Sequence, residues 1–171
     1  MRALVCALVL LAAIPAAAQR MAPSDRWGLG LTIGDPFGVT LKHYNGRRGP
    51  AGVNATAWDA YIAFAYGPGF RFGADWLWNL RRLAAEREFA LDAYAGVGPF
   101  VGALSSPCGP GFIDNRCNGD VYFGARVPLG LEMLLRQAPV TFGLELAPGV
   151  GFAPGRAGLL LDFLLAVRWL F

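Results

Sequence analysis

Residues 163–171 read FLLAVRWLF, and residues 158–162 just before them read GLLLD. Two charges stand among leucines and aromatics, and their placement decides the secondary structure. With a period of two, Leu159, Leu161, Phe163, Leu165, Val167, Trp169 and Phe171 share one face. Gly158, Leu160, Asp162, Leu164, Ala166, Arg168 and Leu170 share the other. On a helix, six residues turn through about 600°, so Asp162 and Arg168 would stand roughly 120° apart, each ringed by leucine. A strand gathers both charges on one face and leaves the other wholly apolar. The segment therefore reads as a strand.

The same alternation runs through the chain. In residues 70–81, Phe70, Phe72, Ala74, Trp76, Trp78 and Leu80 oppose Arg71, Gly73, Asp75, Leu77, Asn79 and Arg81. Residues 58–66 set Trp58, Ile62 and Phe64 against Asp59 and Tyr61. Residues 88–101 set Phe89, Leu91 and Val97 against Glu88, Asp92, Tyr94, Gly96 and Gly98. Residues 121–132, 140–147, 27–33 and 39–44 repeat the pattern, which makes eight strands. One face is large and apolar throughout. The other mixes glycine, alanine, tyrosine and single charges of both signs.

Eight such strands fit two architectures. A soluble eight-stranded barrel turns the apolar face inward, and a membrane barrel turns it outward. An eight-stranded interior is only just wide enough for side chains to fill. It has room for glycines, tyrosines and paired charges, but not for five tryptophans with the phenylalanines of the same face. Charged residues make up only 16% of the chain, too few for a soluble exterior of this kind. The expectation is an all-β, eight-stranded, antiparallel up-and-down transmembrane β-barrel, which satisfies its backbone without water. Its lumen would hold a charge network of Lys42, Asp59, Arg71, Asp75, Asp92, Arg126, Glu145, Asp162 and Arg168, joined by Glu88 and Glu132. Burial demands that such charges be paired. Trp27, Trp58, Trp76, Trp78, Trp169 and Phe171 would form the membrane girdle.

Residues 1–18 read as an exported chain's signal peptide: Arg2, then twelve apolar residues to Ile14, then Pro15 and a small-residue cleavage site at Ala16–Ala18. The apolar run is shorter than the roughly 20 residues of a spanning helix. Residues 19–171 would form the single barrel domain and would be left with a formal charge of +2 once Arg2 is removed from a chain of +3. That bias implies no nucleic-acid partner. Cys108 and Cys117 enclose eight residues in the longest connection, and in an oxidising compartment they read as a disulfide. With both termini periplasmic, the outer loops are expected at residues 34–38, 67–69, 103–120 and 153–155. The inner turns are expected at 45–53, 81–87 and 135–139.

Several stretches carry a resemblance. Gly34-Asp35-Pro36-Phe37-Gly38 running into Val39-Thr40-Leu41-Lys42, Ala74-Asp75-Trp76-Leu77-Trp78, Arg126-Val127-Pro128-Leu129-Gly130 and Leu144-Glu145-Leu146-Ala147-Pro148 resemble an uncharacterised family of small outer-membrane barrels of Gram-negative bacteria. The terminal Phe171, with apolar residues at alternate positions before it, resembles the signal by which such barrels are recognised for insertion. The resemblance implies a fold, a place in the outer membrane and contact with the barrel-assembly machinery through the last strand. It implies no activity.

Catalytic readings are weak. Glycines at 28, 30 and 34 and at 96, 98 and 102 brush against a dinucleotide fingerprint, but no helix follows either strand. His43, the sole histidine, falls in the apolar register of its strand, and Ser24, Ser105 and Ser106 lie too far away to complete a triad. The expectation is a protein that is no enzyme and carries no metal or cofactor. It would be monomeric, with outer-membrane lipid as its surroundings. Its role would be structural or in surface interaction; a porin-like narrow pore and a lipid-modifying enzyme are the alternatives.

Overall fold

A computed structural model describes residues 27–45, 55–65, 69–104, 121–154 and 156–171. Residues 1–18, where a signal peptide is expected, Cys108, Cys117 and all three serines lie outside these residues. Among the described residues there is no helix. There are nine strands: β1 (Trp27–Asp35), β2 (Phe37–Tyr44), β3 (Thr56–Ala65), β4 (Gly69–Ala85), β5 (Phe89–Leu104), β6 (Val121–Arg126), β7 (Leu129–Leu135), β8 (Val140–Ala153) and β9 (Arg156–Leu170).

All pairings are antiparallel. Each strand from β1 to β5 pairs with the next, β5 and β8 both pair with β6 and with β7, β8 pairs with β9, and β9 returns to β1. The pairings thus close a ring. The last pairing runs from Gly28↔Leu170 to Asp35↔Phe163, and beyond it Trp27 and Phe171 exchange two backbone hydrogen bonds of 3.1 and 2.9 Å.

Eight strands were expected from the alternation and nine are present, because residues 121–135 form two. The register is continuous across the gap: Arg126 and Leu129 keep one alignment on β5 (Gly98, Ala95) and one on β8 (Gly149, Leu146). The interruption is chemical rather than geometric. Pro128 has no N–H to give to Gly96, although its carbonyl accepts from Gly96 N at 2.8 Å. Val127 donates to the Pro148 carbonyl at 2.8 Å, and Pro148 has no donor to return.

β4 extends to Ala85, so its turn with β5 is only residues 86–88. Register shifts at Asn79/Arg81 and Arg82/Ala84 mark bulges. The first makes both Leu80 and Arg81 point outward and turns Arg82 inward, which corrects the inward placement of Arg81. Glu88 is also corrected: it is exposed in the turn and takes no part in the interior. The β1–β2 connection narrows to Pro36. Gly34 beside it has φ +140°, and a side chain there would strike the Phe163 carbonyl, so only glycine fits.

The two faces fall as the alternation divides them. Leu29, Ile33, Phe64, Phe72, Trp76, Leu146, Leu161, Phe163 and Trp169 stand exposed on the outside. Lys42, Asp59, Arg71, Asp75, Asp92, Arg126, Glu132, Glu145, Asp162 and Arg168 are buried inside. Two clusters of buried apolar side chains flank the charges. Tyr44, Ala57, Leu77, Tyr94, Leu134 and Leu170 pack toward the end that carries the 86–88 turn. Tyr61, Ala63, Phe100 and Tyr122 pack toward the opposite end.

Candidate functional site

Space for the interior comes from glycine. Tyr61 on β3 faces Gly73 on β4, Tyr122 on β6 faces Gly102 on β5, Tyr94 on β5 faces Gly130 on β7, and Phe100 on β5 faces Gly124 on β6. In each case a Cβ on the glycine would run into the partner's ring. Each aromatic ring therefore lies flat over its cross-strand glycine and fills the ring sideways. This packing accounts for these four glycines, while Gly30, Gly38 and Gly98 are held to glycine by close approach of the neighbouring backbone.

Arginines stand over these rings. The Arg126 guanidinium lies 4.2 Å from the centre of the Tyr61 ring, and that of Arg71 lies 5.2 Å from the centre of Phe100. Arg126 is the hub of one group of ion pairs. It holds Asp75 with two hydrogen bonds, Nη2 to Oδ2 at 2.5 Å and Nε to Oδ1 at 3.2 Å. Its Nη1 donates to Asp162 Oδ2 at 3.0 Å, and its Nη2 is 3.3 Å from Glu145 Oε1. Arg71 reaches the same Asp162 oxygen at 2.7 Å, and Tyr94 donates to Glu145 Oε2 at 2.8 Å.

Arg168 is the hub of a second group. Its Nη2 donates to Asp59 Oδ2 at 2.5 Å and its Nε to Thr40 Oγ1 at 3.3 Å, while Thr40 donates in turn to Asp59 Oδ1. Glu132 takes a hydrogen bond from Lys42 Nζ at 2.9 Å and another from Tyr44 at 2.7 Å, and lies 3.6 Å from Arg168 Nη1. Asp92 is met separately by Arg82 with two hydrogen bonds of 2.7 and 3.0 Å. Of the eleven charges expected inside from the sequence, ten face inward, and Glu88 is the exception. Arg82 was missed, because the bulge that turns it inward leaves no mark in the alternation.

These pairs share the strong geometry of charge-assisted hydrogen bonds. Taking such charges out of water costs several kcal/mol each, and the pairing roughly offsets that cost. The arrangement fixes which side chains fill the interior. Among the described residues, no set of three or more His, Cys, Asp or Glu is placed to hold a metal ion.

Outside, aromatic residues form rows. Phe171, just past the end of β9, and Trp27, His43, Trp58 and Trp76 on β1, β2, β3 and β4 are successive cross-strand neighbours. Trp27 meets His43 at 4.5 Å and the edge of Trp58 at 5.2 Å, and His43 stacks on Trp58 at 5.6 Å. His43 also shares a hydrogen bond of 3.1 Å with Asn45 through Nδ1. Trp78 pairs with Thr56 and Trp169 with Leu29, close to the same level. A second row, Phe37, Phe64 and Phe70, lies six residues further along β2 and β3, about 20 Å at 3.3 Å per residue. Phe123 and Phe152 face each other at 5.8 Å across β6 and β8. The phenylalanine row was visible in the sequence only as part of a general apolar face. Its level emerges from the register.

What fold and site define is an antiparallel ring that is charged within and apolar without. No family model, curated protein or solved structure matches the chain.

Proposed function

We propose that the protein is an integral outer-membrane β-barrel with a side-chain-filled lumen, serving a structural or surface-interaction role. The inversion of its two faces carries this reading. Soluble monomers rarely expose a contiguous apolar patch beyond a few hundred Å². Here every strand presents exposed Leu, Ile, Val, Phe or Trp outward, and ten strand charges turn inward while Arg81 points outward. Hydrocarbon is the solvent in which that division is stable, and a closed ring leaves no strand edge unpaired in it. The aromatic rows fit the two interfaces of such a membrane. The signal-peptide pattern of residues 1–18 and the terminal Phe171 suit export and insertion by the barrel-assembly machinery.

A narrow pore is the second reading, favoured by the run of polar groups along the interior. The apolar clusters at either end and the arginines locked on carboxylates weigh against it. An enzymatic role has less support still, since His43 lies outside against two tryptophans. Membrane fractionation with heat-modifiable gel mobility tests the reading: the protein should sediment with the outer membrane and migrate faster unheated. Recovery as a soluble periplasmic protein with unchanged mobility would overturn it. In planar bilayers the folded protein should give no discrete conductance steps, and reproducible steps would favour the pore.

A further inference from the structure

A cavity of about 10 Å³ lies inside the ring between the two ion-pair groups. Thr40, Asp59 and Arg168 line it from one group, and Arg126 and Glu145 from the other, with Tyr61 between them. Three of these residues carry a buried polar atom that makes no hydrogen bond among the described residues: Tyr61 Oη, Glu145 Oε1 and Arg168 Nη1. Glu145 Oε1 has only the 3.3 Å ion pair with Arg126, and Arg168 Nη1 only the 3.6 Å approach to Glu132. A buried polar atom left in this condition costs roughly 1–3 kcal/mol, and three such atoms belong to residues that line this one cavity.

We propose that this cavity binds a single water molecule, which joins the Arg126 and Arg168 groups into one network. The chemistry of the lining selects it. Tyr61 O–H and Arg168 Nη1–H are donors and Glu145 Oε1 is an acceptor, so the ligand must both accept and donate. A metal cation would face the guanidinium groups of Arg126 and Arg168. An anion would face the carboxylates of Asp59 and Glu145. The volume has room for one water and nothing larger, and internal waters typically make about three hydrogen bonds. The water accepts from Tyr61 and Arg168 and donates to Glu145, and its second proton is left for Asp59 or Thr40. The inference does not depend on what surrounds the ring.

Two measurements test it. A high-resolution crystal structure of the folded protein should show one density peak at hydrogen-bond distance from Tyr61 Oη, Glu145 Oε1 and Arg168 Nη1. A dry cavity would overturn the proposal, as would an ion revealed by anomalous scattering after exchange into rubidium or bromide. Oxygen-17 relaxation dispersion on the folded wild-type protein should detect a long-lived internal water, and Tyr61→Phe, folded by circular dichroism, should lose one. An unchanged number in that folded variant would contradict the assignment. If Tyr61→Phe does not fold, the wild-type density and dispersion decide alone.

Discussion

At the scale of single residues, the interior is a matter of pairing and of room. Asp75→Leu leaves Arg126 short of its two-point partner, and Arg126→Leu leaves Asp75, Asp162 and Glu145 facing one another. Each should destabilise the fold by about 3–5 kcal/mol in urea titration, as expected when one member of a buried pair is removed. Trp76→Phe, on the exposed face, should cost far less; if it proves the costliest of the three, the faces are reversed. Room is tested by two glycines. A methyl at Gly30 would meet the Val167 carbonyl and stand 2.7 Å from Arg168 Cα, whereas at Gly143 the nearest atoms are Ala166 Cβ and Arg168 Nη1, both at 3.4 Å. Gly30→Ala should therefore destabilise by about 1–3 kcal/mol, in the manner of an overpacked core, and Gly143→Ala by much less. Equal costs for the two would show that backbone approach does not limit these positions.

At the scale of strands, three prolines thin the ladder on adjacent seams. Pro99 stands opposite Ala74, where the β4–β5 pairing lapses between Gly73 and Trp76. Pro128 stands opposite Gly96, and Pro148 opposite Val127. Pro99 and Pro148 are exposed on the outer face, so replacing them removes little packing. Pro99→Val and Pro148→Val should each restore a donor and stabilise by about 0.5–1.5 kcal/mol, the net worth of one hydrogen bond. A lower urea midpoint in either would mean that the proline conformation matters more than the missing bond. Alternation located the strands as eight segments and assigned most of their faces, because a period of two is written in side-chain size and charge. What it left out was decided by the backbone: Pro128 splits one strand through a missing donor, and the bulge at Asn79/Arg81 exchanges Arg81 for Arg82. The connection between β5 and β6 carries Cys108 and Cys117, which are expected to be oxidised to each other. A bridge would close a short loop, an entropic effect of about 2–3 kcal/mol on the loop itself. Changing both to serine should leave heat-modifiability unaltered while raising protease cleavage between residues 105 and 120. Free thiols at both positions in the oxidised protein would contradict the bridge.

At the scale of the whole molecule, everything turns on the solvent outside the ring. The sequence carried that argument through volume: a ring this narrow cannot enclose five tryptophans. The partners of each charge were not legible, because they come from strands far apart in sequence, such as Arg126 with Asp75 and Arg168 with Asp59. Register should also govern assembly. Phe171→Asp puts a charge on the apolar face beside Trp27, and should impair outer-membrane insertion far more than Leu170→Asp; equal insertion of the two would sever the terminal residue from assembly. The most direct test uses the tryptophans themselves, all on the outward register. The protein should be folded into vesicles whose lipids carry bromine on their acyl chains, and its tryptophan emission compared with that in unbrominated vesicles. The account predicts insertion and strong quenching, deepest for bromines near the level of the Trp27–Trp58–Trp76 row. A chain that folds in buffer without lipid, stays out of the vesicles and shows no quenching would contradict it.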